Sequence, residues 1–129
     1  MSHNFVFDKP CSCLINGMIN SGKTTLVNNL IKKIQSSNTL SHAHVFSQNV
    51  TNYSTNKFTN PATYYTHFDI NKLQNLSQVE YDEPILIILD NCISLYELCT
   101  KNVLMSNTFY ELIINGKNKN IFTILTMRF

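Results

Sequence analysis

"LINGMINSGKTTL", residues 14–26, decides how this chain is read. Gly17, Gly22, Lys23 and Thr24 occupy the fixed positions of the phosphate-loop pattern G-x-x-x-x-G-K-[ST], the Walker A motif. Each part has a physical job. The glycines permit backbone angles and a close approach that a side chain would block. Successive amides then face inward around a phosphate, with a helix N-terminus behind them. Lys23 would neutralise the β- and γ-phosphates, and Thr24 would set its hydroxyl on Mg²⁺. The chain is poor in glycine, with only Gly17, Gly22 and Gly116, and two of the three fall where the motif needs them.

The flanking sequence fits a strand-loop-helix unit. "CSCLIN" (11–16) predicts a short strand entering the loop. Leu26, Val27, Leu30, Ile31 and Ile34 recur at helical spacing, so a helix follows. Lys32 and Lys33 are then expected in its last turns, where cations suit the helix dipole. "HVFS" (44–47) reads as a second strand, whereas 48–66 is polar, carries Pro61 and reads as loop. Asp69 is placed to cap a helix through "INKLQNLSQ".

After Pro84, "ILIIL" is a continuous apolar run leading to Asp90, as in a strand covered on both faces of a parallel sheet. Met105, Phe109, Leu112 and Ile113 share one face of a further helix ended by Gly116. "IFTILT" (121–126) reads as a last buried strand. Strands alternating with helices predict an α/β fold, a three-layer, mostly parallel sheet of the P-loop NTPase type. We read residues 1–129 as one such domain.

A phosphate loop needs a second acid to hold the magnesium shell. The apolar run supplies it, delivering Asp90 to the C-terminal end of a buried strand, where ligands gather in such sheets.

Bulk properties exclude little but point the same way. The net charge is +2, too small to imply nucleic-acid binding by itself. The clusters Lys32-Lys33 and Lys117 to Lys119 read as solvated helix ends. Cys11, Cys13, Cys92 and Cys99 form no CxxC pair. With no secretory signal and no apolar span of about 20 residues, they read as reduced thiols in a cytosolic compartment. A zinc site would have to join Cys11 and Cys13 to His42 and His44; the competing reading makes "HAH" the start of a strand.

Three segments together resemble the genome-packaging ATPases of large DNA viruses, the poxvirus-type branch of the FtsK/HerA superfamily. "FYELIINGKNKNIFTILTM" is similar to that family's aromatic-rich helix, Asn-Gly-Arg-His corner and apolar strand ending Thr-Gln. "LIILDNCI" is similar to its apolar strand followed by Asp-Asp and Cys, and Asn20 in "INSGKTTL" is at home in viral members. The resemblance implies ATP hydrolysis coupled to moving double-stranded DNA into a capsid through a portal, by a ring of identical subunits. It implies a protein of the host cytoplasm, or associated with the virion, without a membrane. Carried over, the nucleotide-binding set is Gly17, Asn20, Ser21, Gly22, Lys23, Thr24 and Thr25, and Thr24 and Asp90 would hold Mg²⁺. Lys23, Asp90, Asn91 and Lys117 fall at the catalytic positions, and Met127 stands where the family has a sensor glutamine.

The departures weigh against fast turnover. Asn91 replaces the acid that polarises the attacking water; asparagine can orient water but cannot accept its proton. Glu97 could substitute only if the chain folds back. Lys117 keeps a charge but lacks the planar fork of an arginine finger, and Met127 cannot bond as glutamine does. Family members also continue past the position of Phe129 with a further strand, so the resemblance predicts an open edge on the phosphate-loop strand. That edge belongs to a shortened copy or is covered by another chain. Two other readings stand beside the motor: a nucleotide-binding regulatory or relic module without hydrolysis, and a small-molecule kinase. The kinase is disfavoured because no arginine-rich lid is present, Arg128 being the single arginine.

Overall fold

The computed structural model of the chain describes residues 9–16, 22–49, 53, 58–92 and 103–127. Along these run β1 (Ser12–Asn16), α1 (Lys23–Ser37), β2 (His42–Ser47), β3 (Ala62–Tyr65), α2 (Ile70–Ser77), β4 (Ile85–Asp90), α3 (Val103–Ile113), a 3-10 turn (Gly116–Lys119) and β5 (Ile121–Met127). The five strands form one sheet in the order β1-β5-β4-β2-β3, and every neighbouring pair is parallel. This is the expected α/β architecture, with helices on both faces.

β4 makes the layering legible. Alternate residues of a strand point to opposite faces, so a run with no polar member must be covered twice. Leu86 and Ile88 join Val45, Phe122 and Ile124 in a core under Val27, Ile31 and Ile34 of α1. Ile85, Ile87 and Leu89 join Phe46, Ile121 and Leu125 in a second core under Leu73 of α2 and Phe109 and Leu112 of α3. Leu26 and Ile113, both assigned to buried helix faces from spacing, are 47% and 45% exposed and sit at the rims.

Helix ends follow local chemistry. The Asp69 side chain accepts from the backbone N–H of Asn71 and Lys72, as its position predicts, and caps α2. α1 runs on to Ser37, where Asn38 donates to the carbonyl of Ile34, so Lys32 and Lys33 are exposed but not in its last turn. The segment read as loop over 48–66 contains β3, which pairs with β2. β3 is a four-residue edge strand whose residues are all half-buried, and such a strand carries no apolar run or clean alternation to read.

At the opposite edge β1 pairs only with β5 among the described residues, and Leu14 on it is 58% exposed.

Candidate functional site

In a parallel sheet all C-terminal strand ends lie along one side, and the candidate groups converge there. Gly22 enters α1 with φ +85, a left-handed backbone that favours glycine, and a Cβ at this point would meet nothing within 4 Å. Among the described residues no side chain caps the helix, and no acidic residue stands in its first turn, so none of them engages its leading N–H groups. Lys23 is the first helical residue, and its Nζ donates to the carbonyl of Met127 at 3.3 Å, at the end of β5. Thr24 is half-buried and Thr25 exposed on the same turn. Gly17, Asn20 and Ser21 lie outside the described residues.

Asp90 closes β4, on the same sheet face as α1. The strand register places Ser47, Asp90 and Thr126 side by side across β2, β4 and β5. Ser47 Oγ donates to Asp90 Oδ2 at 2.9 Å, and Thr126 Oγ1 donates to Oδ1 at 2.8 Å. Each hydroxyl also accepts a backbone N–H, Ser47 from Asn49 and Thr126 from Asn91, both at 3.0 Å. Each hydroxyl thus accepts one N–H on a lone pair and gives its proton to the carboxylate. The result is a carboxylate that receives a neutral hydroxyl donor on each oxygen.

Asn91 turns the chain away from β4 with φ 53, a conformation asparagine tolerates better than most residues. Its N–H donates to Thr126 O at 3.2 Å as well as to the hydroxyl, while its residue is exposed. Cys92 follows, donating through Sγ to Phe46 O at 3.1 Å. Burial, then the charge of Asp90, pushes its thiol up to about 12, so it is a poor nucleophile.

Three sequence assignments fall elsewhere. Lys117 lies exposed in the 3-10 turn before β5, at the N-terminal end of the sheet. β5 has seven residues, which at about 3.3 Å each put Lys117 roughly 20 Å from the Asp90 end. Met127 points into the core under α3, is 3% exposed, and takes part in the site only through its carbonyl. Lys119, expected to be solvated, pairs with Glu111 at 2.7 Å and donates to Ser77 O at 2.9 Å, tying α3 to the end of α2. Glu97 and Cys99 lie outside the described residues.

The zinc arrangement does not form. Cys11 packs on the α1 side, whereas His44 bonds Tyr65 on the other face at 3.0 Å, with β5 and β4 between their strands. Among the described residues no three His, Cys, Asp or Glu side chains could hold a metal ion together. Also among them, no helix is long and apolar enough to cross a membrane.

Sequence reasoning missed Ser47, Thr126 and Tyr53. Ser47 and Thr126 carried a usable signal, since each is a polar residue at the end of an apolar strand. Tyr53 carried none, being one aromatic within "NVTNYSTN". It is fully buried on the α1 side, and its hydroxyl completes no hydrogen bond of full geometry.

No protein-family model and no curated protein matches the sequence. Among solved structures, the fold is similar to that of the pCW3 conjugation coupling protein TcpA, in monomer form with ATPγS. The TM-score is 0.55 at 12% identity, over 94% of this chain and 43% of that one. The chain thus spans less than half the length of that protein, and the likeness is one of fold.

Proposed function

We propose that this chain binds ATP with magnesium at the C-terminal end of its sheet, as a P-loop module of the FtsK/HerA type. One observation carries the reading. The last two residues of β5 link the two predicted partners, Met127 accepting from Lys23 and Thr126 donating to Asp90. A cation at the head of a helix and a fixed carboxylate thus flank one strand end, as a triphosphate and its metal require. Gly17, Asn20, Ser21, Gly22, Lys23, Thr24 and Thr25 would contact the nucleotide. Thr24 and Asp90 would hold Mg²⁺, which when bound neutralises phosphate charge as a Lewis acid.

The finer reading follows the sequence resemblance. The chain would serve packaging of viral double-stranded DNA through a capsid portal, in a homo-oligomeric ring within the host cytoplasm or on the virion. The similar fold of a conjugation coupling protein bound to ATPγS supports the superfamily, not the packaging role. In such a ring Lys117 would act on a neighbour's nucleotide, because within its own subunit it faces the other end of the sheet.

A second reading, binding without hydrolysis, is favoured by Asn91 and Met127. The first offers an amide where an acid is needed, and the second turns its side chain away from the site.

Titration with a fluorescent ATP analogue, with and without Mg²⁺, tests the shared core of both readings. Lys23→Ala is expected to abolish binding at concentrations that saturate the wild type. Unchanged affinity in that variant would remove the loop assignment. Turnover measured with and without double-stranded DNA then separates the two readings.

A further inference from the structure

We propose that the outer edge of β1 seats a second copy of this chain: two β1 strands pair antiparallel about a twofold axis through Leu14, joining two sheets into one. The contact stands independently of the nucleotide reading above. A twofold pair also closes on itself, whereas a ring is built from head-to-tail contacts.

The backbone sets the register. Thr123 N–H donates to Cys11 O at 3.1 Å. Successive residues of a strand aim their backbone groups to alternate sides. Cys11, Cys13 and Ile15 therefore turn theirs to β5, and Ser12, Leu14 and Asn16 turn theirs outward. Among the described residues no strand receives them. Leu14 is the middle residue of Ser12–Asn16. An antiparallel copy centred there sets Leu14 against the partner's Leu14, and Ser12 against the partner's Asn16. Each outward N–H then meets an outward carbonyl.

Apolar side chains flank the same edge in both layers. Leu14 pairs in register with Leu125, so it shares the α3 face, where it is 58% exposed. On α3, Glu111 turns to the α2 side, where its partner Lys119 also holds Ser77 O. Ile113, two residues on and about 200° round the helix, faces the β1 side and is half-exposed. On α1, Gln35 accepts from Thr59 N–H toward the β3 edge. Leu26, about 180° round from it, faces the β1 edge and is half-exposed too.

Charge selects a second copy as the occupant. A twofold axis sets a patch against itself, so a charge near it would meet its own kind. β1 carries none, and Glu111, the one charged residue of α3, is paired with Lys119. Lys33 lies about 10 Å along α1 from Leu26, and the axis carries it away from its counterpart. Edges of monomers are guarded by charge, proline or brevity. β3 at the opposite edge follows that rule, with four residues behind Pro61. β1 does not.

Sedimentation of the full chain without nucleotide tests this. Wild type should run at twice the 14.8 kDa of one chain. Leu14→Asp sets two carboxylates together on the axis and should run as one chain, with unchanged circular dichroism. Two cysteine variants read the register even if that one fails to fold. On the axis the two Leu14 Cα atoms lie about 5.5 Å apart, within disulfide reach. Leu14→Cys should therefore cross-link into a dimer with oxidised glutathione, above the wild-type background. Ser12→Cys should not, because its two copies lie roughly 14 Å apart along the paired strands. A wild type that sediments at any other mass, or a folded Leu14→Asp that keeps the wild-type mass, overturns the contact. Absent cross-linking in Leu14→Cys, or equal cross-linking in both variants, overturns the twofold register.

Discussion

Thr126 Oγ1 donates to Asp90 Oδ1 at 2.8 Å across the junction of β5 and β4. Thr126 is itself fully buried. The strand that follows α3 thereby orients the acid of the strand that precedes it, and the same strand end receives Lys23. Communication between lysine and aspartate in this fold runs through β5.

Thr126→Val keeps the shape of that residue and removes its hydroxyl. One buried hydrogen bond to a carboxylate is lost, at a cost of about 1.5–3 kcal/mol in stability. Urea unfolding should report this loss. Calorimetric titration should show weaker nucleotide binding in Mg²⁺ than in the wild type, with little change in EDTA. Unchanged values in both experiments would mean that Asp90 is held by other groups.

Asn91→Asp restores a carboxylate at the position where the resemblance expects one. Aspartate accepts the left-handed backbone nearly as well as asparagine, so stability should shift by less than about 0.5 kcal/mol. ATP turnover should rise at least about tenfold, a modest share of what general-base chemistry supplies. A soluble, nucleotide-binding variant with no gain in turnover would show that a missing acid is not the principal defect.

Acid should destabilise the fold through His44. Burial, then the neighbouring His42 and Lys72, hold its pKa down at about 4. The unfolded chain takes up a proton near the ordinary value of about 6.5 while the folded chain resists it. Stability is therefore full above about pH 6.5 and declines as pH falls toward 4. Melting temperature measured between pH 7.5 and 4.5 should fall, and His44→Gln should flatten that slope. A parallel slope in the variant would assign the acid sensitivity elsewhere.

Lys119 and Lys117 should behave differently although they are two residues apart. Lys119→Met removes the pair with Glu111 and the bond to Ser77 O, and should lower the melting temperature clearly. Lys117→Ala, at an exposed position, should leave it unchanged. If Lys117 acts on a neighbouring subunit, its loss should reduce turnover of the assembled protein without altering nucleotide affinity.

Much of this was legible in the chain itself. The apolar run of β4, the periodicity of α1 and the cap at Asp69 are local patterns, written in residues that lie next to each other or one helical turn apart. Local patterns fix element type and which element must be buried on both faces. They also carry the spacing of the proposed phosphate loop, because a loop built to wrap an anion would use consecutive amides. The short edge strand β3 was missed for the converse reason, since half-buried residues at a sheet edge leave no alternation strong enough to read.

What the sequence determined, then, was the layered α/β class and the placing of Asp90 at the end of its apolar strand. The tertiary structure alone decided which residues share the site. Ser47, Asp90 and Thr126 become neighbours only through parallel register between strands far apart in the chain. Lys117 is carried to the far end of the sheet by the same long-range pairing. Side-chain adjacency across a sheet is set by which strands pair and in what register, and no local spacing encodes that.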